Sequence, residues 1–285
     1  MKRAILPLLL LAIASVAAAQ QNTAPPAVQG GPPIPQGSSI PGLSSLPIDL
    51  EGPGYLEFGG AHSSVTNGNP DWTDAYIRAF LSGGKNGWNL EATRQDRYGD
   101  TGWFYSAGWT RTLSQNWYTN VQAGTSSRCF FLPKWRVDGF INRKLLPKKQ
   151  LVTTAGFGYD RYKTVQTAYR GTVGAAYYFS APFVVQGGVT FTQSNPGSIL
   201  ARSQYIALSQ GHDKEHFIVA RAEIGREAYQ LIGPSTALFD FPVQDYTVTW
   251  RQWVGFNWGF NFVAERYQNP YYTRTGGTIG FFLDF

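Results

Sequence analysis

The sequence predicts an all-β protein: an antiparallel transmembrane β-barrel of about 14 strands, with 12 as the alternative count, around a polar lumen. Three observations carry this expectation. The final stretch alternates strictly, Thr275, Gly277, Ile279, Phe281, Leu283 and Phe285 on one face against Arg274, Gly276, Thr278, Gly280, Phe282 and Asp284 on the other. Such period-two alternation suits a strand between lipid and a polar interior. From Gly54 onward the chain is a series of strand-like runs, each about the length a tilted membrane strand needs, and none has helical periodicity. The N-terminus reads as an export signal, and no long apolar run follows it.

Residues 1–19 have the parts of a secretory signal peptide: basic Lys2 and Arg3, a short apolar core from Ile5 to Ile13, and Ala17-Ala-Ala19 as the small-residue cleavage site. Its removal takes two positive charges and lowers the formal charge from +6 to +4. That modest excess, in an exported chain, fits an anionic lipopolysaccharide or glycan and not nucleic acid. The single Cys129 makes no internal disulfide, so stability is expected from a closed, fully hydrogen-bonded barrel. Residues 20–53 are rich in Pro, Gly, Ser and Gln and almost uncharged, a composition that buries no core and reads as a flexible periplasmic lead. The barrel is expected over 54–285. Its many Tyr and Trp residues favour the membrane interfaces, where the ring is apolar and the polar tip stays wet.

The expected strands are 55–63, 74–82, 88–98, 102–113, 117–127, 135–145, 151–162, 167–179, 183–194, 202–211, 216–227, 244–254, 258–268 and 273–285. The first begins where the Pro-rich composition stops. Gly83-Gly-Lys-Asn-Gly87 turns the second into the third. The fourth sets Trp103, Tyr105, Ala107 and Trp109 against Ser106, Gly108 and Thr110, and Ser114-Gln-Asn116 ends it. The fifth runs into a longer link at 127–134, which the sixth and seventh follow. The eighth closes at Ser180-Ala-Pro182. The ninth alternates Phe183, Val185, Gly187, Val189 and Phe191 with Gln186, Gly188, Thr190 and Thr192. The tenth, after a link at 195–201, is the least regular and keeps 12 strands open. In the eleventh, Ile218, Ala220, Ala222 and Ile224 oppose Arg221 and Glu223, and a long aromatic link at 228–243 leads to the twelfth. Gly255-Phe-Asn257 turns into the thirteenth, where Trp258, Phe260, Phe262 and Ala264 oppose Asn261 and Glu265. Tight links after even strands and longer ones after odd strands place the long links outside the cell, with both termini in the periplasm.

One parity class carries charges of both signs and is assigned to the lumen. Its basic members are Arg78, Arg97, Arg136, Lys144, Arg170, Arg221, Arg251 and Arg274; its acidic members are Glu57, Glu91, Asp138, Asp160, Glu223, Glu265 and Asp284. Near balance points to ion pairs between strands, since a strongly selective pore is more often lined by one sign.

The last eight residues resemble the C-terminal insertion signal of bacterial outer-membrane barrels, with Thr278, Gly280, Leu283 and Phe285 in its polar, glycine, hydrophobic and aromatic places. That resemblance implies recognition by the barrel-assembly machinery and an outer-membrane location. Further stretches resemble the YaiO-type outer-membrane barrel family: Arg94-Gln-Asp-Arg-Tyr-Gly-Asp100, Leu132-Pro-Lys-Trp135, Gly156-Phe-Gly-Tyr-Asp-Arg-Tyr162, Tyr177-Tyr-Phe179, Ala222-Glu-Ile-Gly-Arg-Glu227 and the final strand. The resemblance implies a barrel without assigned catalysis. Related barrels occur in exopolysaccharide export, usually joined to a periplasmic helical-repeat scaffold, whereas only the Pro-rich lead precedes this one.

No catalytic, metal or cofactor site is expected. A serine hydrolase needs a His within hydrogen-bond reach, and only His62, His212 and His216 exist. His62 shares parity with Leu56 and Phe58; the other two fall at a turn, where the helical spacing for a metal does not apply. Cys129, beside Phe130 and Phe131, reads as a small buried residue of a loop cluster. The expected function is a monomeric narrow channel or accessory platform in envelope glycan or solute traffic. A lipid-modifying enzyme and a structural or adhesive barrel are the alternatives.

Overall fold

The computed structural model describes residues 54–180 and 182–285; the expected signal peptide and lead lie outside the described residues. Fourteen strands follow one another: β1 (Gly54–Val65), β2 (Trp72–Gly83), β3 (Asn86–Arg97), β4 (Asp100–Thr112), β5 (Trp117–Ser126), β6 (Trp135–Leu145), β7 (Leu151–Arg161), β8 (Thr167–Tyr178), β9 (Phe183–Asn195), β10 (Ile199–His212), β11 (His216–Leu231), β12 (Ala237–Gly255), β13 (Trp258–Gln268) and β14 (Thr273–Asp284). Each pairs antiparallel with its sequence neighbours, and β1 pairs with β14 to close the barrel. The seam is continued by Gly54 N–H donating to Phe285 O at 3.1 Å and Phe285 N–H donating to Gly54 O at 3.0 Å. Closure leaves no unpaired edge, the condition for a sheet surrounded by lipid.

Burial resolves what alternation alone leaves open, namely which face is inside. Ile77, Leu90, Val137, Phe157, Val173, Ile206, Val248 and Ile279 are exposed, whereas Glu57, Thr93, Arg251 and Asn261 are fully buried. A water-soluble sandwich would reverse this distribution. Here the apolar set forms the outer wall and the polar set the interior, as a hydrocarbon surround requires. Gly280 shows how tightly the interior is filled. A methyl group there would collide with the Tyr76 hydroxyl, which donates to Glu57 Oε1 at 2.8 Å.

Two links differ from expectation. The region 228–243 is mostly strand: β11 and β12 remain paired out to Leu231 opposite Ala237, leaving only 232–236 as the tip. Pro234, Pro242 and the polar Asp240 disguise this continuation. Asp240 has φ 44°, yet the register does not shift across it: Glu227 pairs with Phe241 and Tyr229 with Phe239. The link at 195–201 contracts to 196–198, because Ile199 already pairs with Ser194. The barrel end opposite the termini is therefore distinguished by the 127–134 loop and the protruding β11–β12 hairpin.

Candidate lumen and its closure

The nine lumen candidates fall into three ion-pair groups, because alternate residues of neighbouring strands point inward in register. At the termini end, Arg78 donates from Nε to Glu91 Oε2 at 3.1 Å and stands 3.7 Å from Glu57. Arg251 donates to Glu57 Oε2 at 3.1 Å and stands 3.6 Å from Asp284. Its guanidinium also lies 3.5 Å from the centroid of the Phe282 ring, and both Arg251 and Glu57 are wholly inaccessible. Lys214, from the β10–β11 turn, donates to Asp284 at 2.7 Å. Three cations here meet three carboxylates. Stripping one partner from such a buried pair typically costs about 3–5 kcal/mol, because the remaining charge is left desolvated.

A second group sits on β6–β8. Arg136 donates to Asp138 at 2.6 Å and stands 3.7 Å from Asp160. Arg170 donates to Asp138 at 2.6 Å and also to Asp160. In the third group, Arg221 pairs with Glu223 and Arg274 with Glu265. The Arg221 guanidinium lies over the Tyr205 ring at 4.7 Å. These pairs run along a strand or between strands close on the wall. Among these pairs of the described residues, Arg251 to Glu57, from β12 to β1 around the seam, is the longest step.

At the opposite end of the barrel the hairpins are joined by a network that sequence reasoning missed. Gln230, on the β11–β12 hairpin, donates to the Tyr98 hydroxyl at 3.1 Å and to the Tyr272 hydroxyl at 2.7 Å. Tyr98 lies between β3 and β4, and Tyr272 between β13 and β14, so three distant hairpins meet at one amide. Trp72 stacks edge-on to Tyr98 at 5.0 Å, and Tyr98 in turn touches Phe130 and Phe131 of the 127–134 loop. Lys163 donates to the Cys129 carbonyl at 2.7 Å, tying the β7–β8 loop to the β5–β6 loop. Tyr162 packs on Tyr229 at 5.1 Å. Burial pushes the Tyr98 and Tyr272 hydroxyls above their ordinary range, which keeps both protonated. The one local hint was Tyr98-Gly99 at a tight turn, where Tyr98 has φ 54°. No local signal joins it to Gln230.

The remaining candidates are placed as follows. Thr278 and Gly280 point inward on β14, whereas Leu283 and Phe285 are exposed on the outer wall. His62 is exposed on the outer wall, with Nε2 at 3.5 Å from Asp71, and no hydrogen bond joins it to Ser63 or Ser64. His212 and His216 face each other at the ends of β10 and β11. Cys129 is buried with Phe104, Phe131 and Leu132, and its burial pushes the thiol up.

A closed, lipid-faced, antiparallel barrel with a charged interior defines a bacterial outer-membrane β-barrel of the architecture shared by porins and channels. Residues 54–230 match the family described as the YaiO membrane beta barrel domain, and the chain belongs to that family. The matched span ends inside β11, so the last three strands lie beyond it. Among solved structures, a CymD monoaromatic hydrocarbon channel is similar at TM-score 0.56 and 7% identity, over 83% of this chain and 89% of that one. A bacterial polysaccharide outer membrane secretin is similar at TM-score 0.52 and 7% identity, over 83% of this chain and 100% of the other. An anion-selective porin from Comamonas acidovorans gives TM-score 0.47 and 9% identity, over 81% and 98%. At these identities the likeness is one of fold. No curated protein matches the sequence.

Proposed function

We propose that this outer-membrane barrel is a narrow polar channel, closed at rest by its own hairpin tips, that passes small solutes or glycan segments. The loop end faces outside and the termini face the periplasm. The observation that carries this reading is the construction of the closure. The charged groups are satisfied along the wall, while the seal is made by Tyr98, Gln230 and Tyr272 on three separate hairpins. A seal of side chains on tips is separable from the wall that holds the barrel together. Hairpin tips also open at lower free energy than a continuous ladder.

A second reading, an accessory platform for envelope glycan traffic, draws support from the β11–β12 hairpin, which extends past the general rim and exposes Phe239. Planar-bilayer recording separates the two. Wild type should give small, infrequent conductance steps, and Gln230→Ala should give larger and longer ones, because two tyrosine hydroxyls lose their common partner. Silence from both proteins would remove the channel and leave the platform. Altered lipid A in cells expressing the barrel, read by mass spectrometry, would instead favour a lipid-modifying enzyme.

A further inference from the structure

The outer wall carries a concavity that the lumen does not explain. It has a volume of about 600 Å³ and is lined almost wholly by apolar surface on β10–β14. The strand register builds it. One transverse row of outward side chains reads Ile206, Ala222, Tyr246, Arg266 and Thr275; the next row towards the termini reads Leu208, Ala220, Val248, Ala264 and Gly277. Ala220 and Ala222 therefore form a floor between the taller walls Ile206 and Leu208 on one side and Tyr246 and Val248 on the other. One row deeper, Trp250 and Phe262, with ring centroids 5.5 Å apart, close the groove towards the termini. It opens towards the loop end, where the outward-facing positions turn cationic and polar.

Arg266 is exposed at that opening and, among the described residues, makes no ion pair. Gln244 and Gln268 follow one row further out, opposite each other, and Arg202 and Arg226 lie beyond. Among the described residues, the sole carboxylate on this face of β10–β14 near the loop end is Asp240, and Arg226 already engages it at 2.6 Å. An apolar trough running down into the membrane, with unpaired guanidinium at its upper mouth, is complementary to an acyl chain joined to an anionic head. Guanidinium groups recognise phosphate through paired N–H donors, and do so strongly where water is scarce.

We propose that this groove is a binding site for a phosphorylated, multiply acylated glycolipid of the lipid A class, with one acyl chain along β11 and a phosphate at Arg266. The assignment to lipid A, which populates the outer leaflet, rests on the proposed orientation with the loop end outside. The site is separate from the lumen and would hold lipid whether or not the barrel conducts.

The test uses the folded full-length barrel in detergent and native mass spectrometry of retained lipid, with hexa-acylated diphosphoryl lipid A, monophosphoryl lipid A and phosphatidylglycerol as probes. Wild type should keep diphosphoryl lipid A in preference to the other two. Ala222→Trp fills the trough and should lower retention about tenfold, roughly the transfer free energy of a short run of methylenes. Arg266→Gln should lower retention of diphosphoryl lipid A and remove its advantage over the monophosphoryl form. Ala264→Phe supplies a second obstruction should Ala222→Trp fold poorly, and heat-modifiable migration verifies folding for each. Unchanged retention in the folded obstructed variants would overturn the site. Preference for phosphatidylglycerol would overturn the ligand. An epitope at Pro234 tests the orientation independently: antibody access on intact cells supports it, and access only after permeabilisation overturns both the orientation and the lipid A assignment.

Discussion

At the residue scale, the chemistry of each strand position follows from which side of the wall it occupies. Val189 and Thr190 are adjacent on β9, yet Thr190 is buried and meets Thr172 Oγ1 at 3.1 Å, whereas Val189 shares the outward parity of exposed Phe191. Val189→Arg places a cation in hydrocarbon and should destabilise the barrel by about 2–4 kcal/mol. Thr190→Arg enters an interior that already holds guanidinium groups and should cost less. Urea unfolding in detergent or lipid compares them; equal losses, or the reverse order, would contradict the facing of β9. The period-two pattern makes this pairing of faces legible in the sequence, but Arg251 shows what it leaves out. Its inward parity is readable, while its place over Phe282 and beside Glu57 depends on β14 and β1 arriving around the seam.

At the scale of elements, β14 must find β1 for the barrel to close, and Phe285, just past β14, extends that ladder by two hydrogen bonds with Gly54. Deleting Phe285 removes that pair of bonds together with the exposed terminal aromatic. The folded, heat-modifiable outer-membrane fraction should fall; undiminished insertion would deprive Phe285 of its assembly role. The hairpin between β11 and β12 shows the opposite case, an element hidden by its own composition. Prolines and an aspartate interrupt the alternation at 228–243, but Tyr229, Gln230 and Leu231 still pair across to Phe239, Leu238 and Ala237. The ladder runs through Asp240, at φ 44°, without a change of register, and Arg226 holds the Asp240 side chain. The composition breaks the pattern from which pairing is read, while the pairing itself continues.

For the whole molecule, the distribution of charge and closure sets what could pass. The ion pairs lie along the wall, so removing one cation changes the lumen's charge without dismantling a brace across it. In a Gln230→Ala background, Arg221→Ala should shift selectivity towards cations, since Glu223 loses its partner and Glu265 and Asp245 stand on neighbouring inward positions. Reversal-potential measurements under a salt gradient decide it; unchanged selectivity would mean that ions do not pass this group. Sequence alone determined the barrel and its two faces and narrowed the strand count to 14 or 12, because alternation and strand length are local and lipid demands that both be regular. Tertiary structure alone decided the count of 14, which carboxylate each arginine meets, and that Tyr98, Gln230 and Tyr272 converge. Those contacts join positions far apart in the chain, and only closure of the sheet brings them within reach of a hydrogen bond.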